Sequence, residues 1–517
     1  MELWTKEVQI NEQGNLITDQ FVIDEDVNVP DSKRDFVRII MSKANMKVDE
    51  LRTVENHVCV KGKLEYQILY AGEGLEPMIS SLAGRLPFEE IVYVDEGQGR
   101  YDIKEMRVDM HATMIHSRKI RIKALVELEL MSQKEIMDEI PLDVEGDGLY
   151  KKKSALELLL LHDRKKDTYR IKEEIVLPGT KETIAGLLWT DIQNRKLDTK
   201  LEMDDFVLVG ELQVFCFYES PDGKIDWIEQ AVPYQGRITC NGAEPGMYHE
   251  VRADLEDVYA EARMDEDGEM RIIGVEGTLK LFLTIYKEEK MEILEDVYSL
   301  EKQCKLESKE LLCEKLILQN HSKCKLAQKL SLPELRGNVL QICHSRGLIQ
   351  LDQVKAMEDG ILVEGALQIS FLYVKANDEV PFDTWHGVVP FSYLIECKDS
   401  TESMRYHISS LLEQLSITLL GGDEVEVKAV LAFHSFFREA KIQTVIQNIQ
   451  MEPLEMKKVE KQPGVIGYIV KSEDDLWTLA KHYGTTMESI QQVNNMQSET
   501  LKVGERILIF RENMSIL

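Results

Sequence analysis

Three times along this 517-residue chain an alternating apolar segment ends in a proline, and each time a glycine follows 32 residues later: Pro30 and Gly62, Pro178 and Gly210, Pro333 and Gly365. The prolines are preceded by matching residues. One position upstream stand Val29, Leu177 and Leu332; three upstream, Val27, Ile175 and Leu330; seven upstream, Ile23, Ile171 and Leu326. Odd offsets share one face of a strand, because successive side chains of a strand alternate between its two faces. From the glycines the alternation resumes as Leu64, Tyr66, Ile68, Tyr70; Leu212, Val214, Cys216, Tyr218; and Leu367, Ile369, Phe371, Tyr373. Self-similarity at fixed internal spacing restricts the chain to three copies of one β-rich unit.

Each copy continues through a proline–aromatic pair, Pro87-Phe88, Pro233-Tyr234 and Pro390-Phe391, to a late alternating strand over 120–130, 271–286 and 425–437. Strands separated by turn-rich segments, without regular helical crossovers, pack as antiparallel sandwiches or barrels. The expected fold class is therefore mainly β: three tandem antiparallel sandwich- or barrel-like repeat domains at 16–140, 165–290 and 318–440. The Asp265-Glu266-Asp267-Gly268 stretch reads as a hairpin turn that lengthens the second copy. Between copies, the leucine-rich 155–161 and the charged, leucine-bearing 301–320 are expected to form short connecting helices. A segment with two prolines, Met451 to Gly464, is expected to set off the tail as a mobile unit.

Composition narrows the function. Sixty-two basic against 92 acidic residues give a net charge of −30, which disfavours phosphate backbones and anionic lipid as main partners. The N-terminus lacks the basic start and apolar run of a secretory signal, and no apolar run approaches the roughly 20 residues of a spanning helix. A cytoplasmic location follows as the expectation. The eight cysteines show no Cys-x-x-Cys or zinc-finger spacing and read as reduced thiols, with Cys216 and Cys324 in apolar positions. Nucleotide-loop, zincin and nucleophile-elbow motifs are absent in usable form, so the chain reads as non-enzymatic, with no cofactor and no metal.

The last fifty residues change character. A strand around 468–470, a helix from about Asp475 to Tyr483 capped by Asp474 or Asp475, a second helix after Thr485 or Thr486, and a strand at 506–509 give the order βααβ. Tyr468-x-Val470, Leu476-Trp477-x-Leu479-Ala480, Tyr483-Gly484-Thr485-Thr486, Ile490, Asn494, Leu501-x-Val503-Gly504 and Ile507-x-Ile509 resemble a LysM domain, placed at 465–512. The resemblance implies a shallow groove between the first loop and the loop before the last strand, which in LysM modules usually receives N-acetylglucosamine-containing glycans. Where those modules commonly carry Gly-Asp-Thr, this chain has Glu473-Asp474-Asp475. Carboxylates in place of a glycine and a hydroxyl suit a protein partner better than a neutral sugar. The expected partner-binding set is Asp474, Asp475, Trp477, Thr485, Asn494, Asn495 and Met496, while Leu476, Leu479, Ala480 and Ile490 form the module's core.

Three such repeats and one C-terminal LysM domain together resemble the SipL-type clostridial spore-coat morphogenetic proteins, whose repeats are called SPOCS domains. The resemblance implies a mother-cell protein at the forespore surface and in the spore coat. It also implies that the LysM domain binds the coat basement-layer ATPase SpoIVA and that the protein promotes encasement of the forespore. The alternative is a wall-associated protein that binds peptidoglycan or N-acetylglucosamine.

Overall fold

The computed structural model describes residues 2–74, 78–95, 99–376, 380–398, 404–421, 423–454 and 463–512. Each repeat supplies six strands. The first contains β1 (Glu2–Asn28), β2 (Phe36–Val54), β3 (His57–Gly72), β4 (Met78–Tyr93), β5 (Arg100–His116) and β6 (Lys119–Glu145). The second contains β7 (Leu149–Val176), β8 (Gly186–Glu202), β9 (Asp205–Glu219), β10 (Ile225–Thr239), β11 (Tyr248–Met264) and β12 (Met270–Ser299). The third contains β13 (Lys302–Ser331), β14 (Val339–Met357), β15 (Gly360–Lys375), β16 (Phe382–Glu396), β17 (Met404–Gly421) and β18 (Glu424–Pro453). The module adds β19 (Val465–Ile469), α1 (Leu476–Tyr483), α2 (Met487–Val493) and β20 (Arg506–Phe510).

Within a repeat the strands form two three-stranded antiparallel sheets, ordered β2-β3-β4 and β1-β6-β5 in the first copy, with the same order in the others. The alternation seen in the sequence makes them a sandwich. Leu64, Tyr66, Ile68 and Tyr70 of β3 pack on Ile120, Ile122, Ala124 and Val126 of β6, and the second and third repeats repeat the arrangement around Cys216 and Phe371. Cys216 and Cys324 are buried, as their apolar positions require. The acidic 265–268 stretch is the β11–β12 hairpin turn, with Asp265 accepting from the amides of Asp267 and Glu269 and Gly268 at φ 83°.

The recurring glycine has a steric cause. Gly62, Gly210 and Gly365 stand directly across from Phe88, Tyr234 and Phe391 in the neighbouring strand. A Cβ on Gly210 would fall 2.2 Å from the Tyr234 ring and 2.5 Å from the Lys196 carbonyl oxygen. The aromatic ring lies over bare backbone, so the glycine and the aromatic are one feature read twice. The adjacent prolines sit on β4, β10 and β16, edge strands of their sheets, where a missing N–H is tolerated.

The three repeats close around a pseudo-threefold axis. Leu69, Phe217 and Leu372, which hold one position in the three repeats, meet in a single cluster with Trp189 and Phe382. Strands β3, β9 and β15 are therefore buried on both faces at their ends, one face inside the repeat and one toward the axis. Charged groups meet there too. Thirteen residues past each proline stand Lys43, Asp191 and Arg346. The Lys43 Nζ–Asp191 Oδ1 distance is 3.4 Å and the Arg346 Nε–Asp191 Oδ2 distance 4.0 Å, and both nitrogens of His344 face carboxylates, Asp191 at 3.0 Å and Glu229 at 3.2 Å. Burial opposes ionisation of Asp191, yet Arg346, Lys43 and the His344 hydrogen bond hold its carboxyl well below the ordinary range.

The two expected connecting helices are strands instead. Residues 155–161 belong to β7 and 302–320 to β13. Leu158 packs with Val8, Ile10, Ile140, Ile293 and Leu311, contributed by all three repeats, whereas Leu159 and Leu161 turn to the other face against Tyr286 and Phe436. A continuous leucine run is the pattern of a strand buried on both sides, and periodicity does not separate it from a buried helix. The extra length draws β1/β6, β7/β12 and β13/β18 into three ribbons, which run beyond the sandwiches and converge on the axis. Asn11, Tyr286 and Arg438 tie the ribbons together: Asn11 Nδ2 and Arg438 Nη1 lie 2.9 and 2.8 Å from the Tyr286 hydroxyl.

Candidate functional site

The C-terminal module is built around Leu476, Leu479, Ala480 and Ile490, all buried, with Val470, Ile507 and Ile509 beneath them. Asp475 is the N-cap of α1, accepting from the Thr478 amide at 2.6 Å, and Gly484 ends the helix at φ 65°. Thr486 caps α2 by accepting from the Ser489 amide at 3.0 Å. The first strand starts earlier than its tyrosine suggests, at Val465.

The tail is docked on the body, against the expectation of a mobile unit; residues 455–462 of the expected linker lie outside the described residues. The receiving surface is the ribbon end of the second repeat. Tyr150 and Tyr298 stack there with centroids 5.0 Å apart, and the Trp477 ring meets Tyr298 edge-on at 4.9 Å. Asp296 accepts from Trp477 Nε1 at 2.8 Å and from Lys481 Nζ at 2.6 Å, while the Tyr298 hydroxyl donates to the Thr485 carbonyl oxygen at 2.9 Å. Lys152 pairs with Asp475 at 3.5 Å. Burial, reinforced by Tyr150 and nearby carboxylates, pushes the Tyr298 phenol far up, so it remains a donor.

This geometry divides the seven expected contact residues. Asp475, Trp477 and Thr485 are turned toward the second repeat. Asn494 is internal staple: its amide donates to the carbonyls of Ile490 (2.8 Å) and Leu508 (2.7 Å) and accepts from the Leu508 amide at 2.7 Å. Asp474 closes the first loop by accepting from the Lys471 amide at 2.7 Å. Asn495 is exposed, in the left-handed region at φ 53°, and Met496 is half-buried against the module core. The outer face of the two-stranded β19–β20 sheet carries exposed Val465, Ile469, Leu508 and Phe510.

Sequence reading missed the receiving residues. The three ribbons carry bulges at Leu142, Glu295 and Gln447, which align them. Three residues past the bulge, Tyr298 corresponds to Glu145 and Gln450, and its cross-strand partner Tyr150 corresponds to Glu2 and Lys305. The aromatic pair belongs to the second repeat alone. A tyrosine breaking a polar position shared by the sister repeats was the available signal. Among the described residues no group of three or more His, Cys, Asp or Glu side chains could hold a metal ion, and no helix is long and apolar enough to cross a membrane.

Comparison with known families matches the SipL, SPOCS domain model three times, at residues 35–117, 183–263 and 338–420, and the LysM domain model at 468–510. The SPOCS matches cover β2–β5, β8–β11 and β14–β17, leaving the ribbon strands outside. No curated protein and no solved structure gives a match.

Proposed function

We propose, from the premise that this chain belongs to the SipL-type family of sporulation-related proteins with three SPOCS domains and a LysM domain, that it is a coat-assembly adaptor. Its LysM module binds a coat basement-layer ATPase of the SpoIVA type, and the closed three-repeat body serves as the scaffold that helps the coat encase the forespore. The mother-cell side of the forespore surface is where such an adaptor works. SPOCS and LysM are binding and scaffold domains, and the adaptor needs no catalysis.

One observation carries the protein-binding reading: the module already makes a protein interface. Trp477, Lys481 and the Thr485 carbonyl grip the second repeat through an aromatic contact, a charge-assisted hydrogen bond and a phenol hydrogen bond. Aromatic anchors with a charged rim are features of protein recognition. In the first loop, meanwhile, Asp475 is occupied as a helix cap and by Lys152, and Asp474 by the Lys471 amide. Carboxylates so engaged leave little for a neutral sugar.

The test measures full-length chain against a purified SpoIVA-type ATPase and, in parallel, against purified peptidoglycan. ATPase binding without glycan binding is expected. Glycan binding without ATPase binding would make the wall-associated alternative the correct one.

A further inference from the structure

The LysM module hangs from the third repeat, through β18, yet it docks on the second. Ten residues separate Leu454 from the start of β19 at Val465. A chain of that length spans at most roughly 35 Å. The seat itself is small. Its apolar centre is Tyr150, Tyr298 and Trp477, and its ion pairs lie at a half-open rim: Lys481 with Asp296, and Lys152 with Asp475. Rim pairs of this kind contribute modestly and exchange readily. The seat is nonetheless particular to the second repeat, because the sister ribbons carry Glu145 and Gln450 where Tyr298 stands, and Asp143 and Asn448 where Asp296 stands. The Asp143 carboxylate is already taken by Lys151 and Lys153.

We infer that the second repeat is an intramolecular competitor for the LysM face bearing Asp475, Trp477 and Thr485, so that a protein partner engages this face only by displacing the Tyr298 ribbon end. This rests on the protein-binding reading above and adds its regulation. A tethered module meets its seat at a high effective concentration, and the docked fraction weakens apparent affinity by the inverse of the free fraction. With about nine modules in ten docked, a partner binds about tenfold more weakly than it would bind a released module. The body thereby holds the module closed until a partner outcompetes the seat.

The variant that tests this borrows side chains the fold accepts at the same positions. Asp296→Asn with Tyr298→Gln installs the residues of the third repeat, Asn448 and Gln450, and touches nothing on the LysM module. In the full chain, zero-length carbodiimide coupling read by mass spectrometry should join Lys481 to Asp296, and saturating ATPase should suppress that product. The variant should bind the ATPase about tenfold more tightly than wild type. Equal or weaker binding by the variant, or a Lys481–Asp296 product undiminished at saturating ATPase, overturns the competitor. If neither wild type nor variant binds the ATPase, the protein-partner reading fails and the competitor falls with it.

Discussion

Lys43 and Asp191 hold the same position in successive repeats and meet at the pseudo-threefold axis, ammonium to carboxylate, 3.4 Å apart. Three identical repeats would bring three like charges together there, so this axis requires different repeats in one chain. Asp191 also receives His344 at 3.0 Å and faces Arg346 at 4.0 Å. Asp191→Ala leaves three buried or half-buried cations short of their anion and is expected to cost about 3–5 kcal/mol. Lys43→Met leaves Asp191 with His344, Arg346 and the Gln193 amide as partners and should cost less than half as much. Urea denaturation of both variants measures the asymmetry, and equal losses would contradict the shared role given to Asp191.

The glycine beneath the aromatic makes a second prediction. Gly210→Ala drives a methyl to 2.2 Å from the Tyr234 ring and 2.5 Å from a backbone carbonyl, with strand neighbours on both sides to resist the shift. A loss of about 3 kcal/mol is expected. Gly179→Ala, with nothing within 4 Å of the added carbon, should stay within about 0.5 kcal/mol of wild type. Thermal melts of the pair separate a steric requirement from a general cost of losing glycine.

Acid should loosen the junction between the second and third repeats. His249 of the second repeat lines a small cavity with His321, His407 and His434 of the third. Burial, aided by the neighbouring imidazoles, pulls His249 and His434 down to about 4, and it lowers His321 and His407 as well. Asp198 and Glu250 favour the protonated rings; Lys323, Lys104, Arg252 and Arg438 oppose them. Unfolded imidazoles protonate near 6.5 and folded His249 and His434 resist to about 4, so the contribution of these two is intact above about 6.5 and is lost as pH falls through that window. For His249 the loss is on the order of 3 kcal/mol. His344 has the opposite sign: burial disfavours its charge, but Asp191 and Glu229 raise its pKa, so its contribution fades as pH rises. Urea midpoints between pH 7.5 and 4.5 should fall steeply in wild type and less in His249→Gln/His434→Gln. An identical fall in the double variant would remove these histidines from the account.

Asn494 separates structure from recognition in the module. Two of its three side-chain hydrogen bonds join α2 to β20, and Asn494→Ala should cost about 2 kcal/mol of local stability by leaving the Leu508 amide and carbonyl unpaired, while the Ile490 carbonyl keeps the backbone amide of residue 494. Hydrogen exchange over 487–510 should accelerate while exchange in the three repeats stays as it was.

The repeats, their glycine spacing, the 265–268 hairpin and the module's caps were legible because each depends on local alternation or turn chemistry. The ribbons were not. Their strands are charged at one end and buried on both faces at Leu158–Leu161, so neither strand nor helix period stands out. Closure around the axis was hidden for another reason: Lys43, Asp191 and Arg346 look like ordinary surface charges until the three repeats are superimposed. The module's groove residues were named from its resemblance to LysM domains. Only the fold shows that Asp475, Trp477 and Thr485 face the second repeat and that Asn494 is structural.

Whether the LysM module holds a protein partner is decided by comparing the full chain with one ending at Leu454 for binding to a purified SpoIVA-type ATPase. The shortened chain keeps every strand of the three repeats, which a matching circular dichroism spectrum and melting profile would verify. ATPase binding is expected to disappear with the module. Binding of equal strength by the shortened chain would place the contact on the repeats and contradict the module's role.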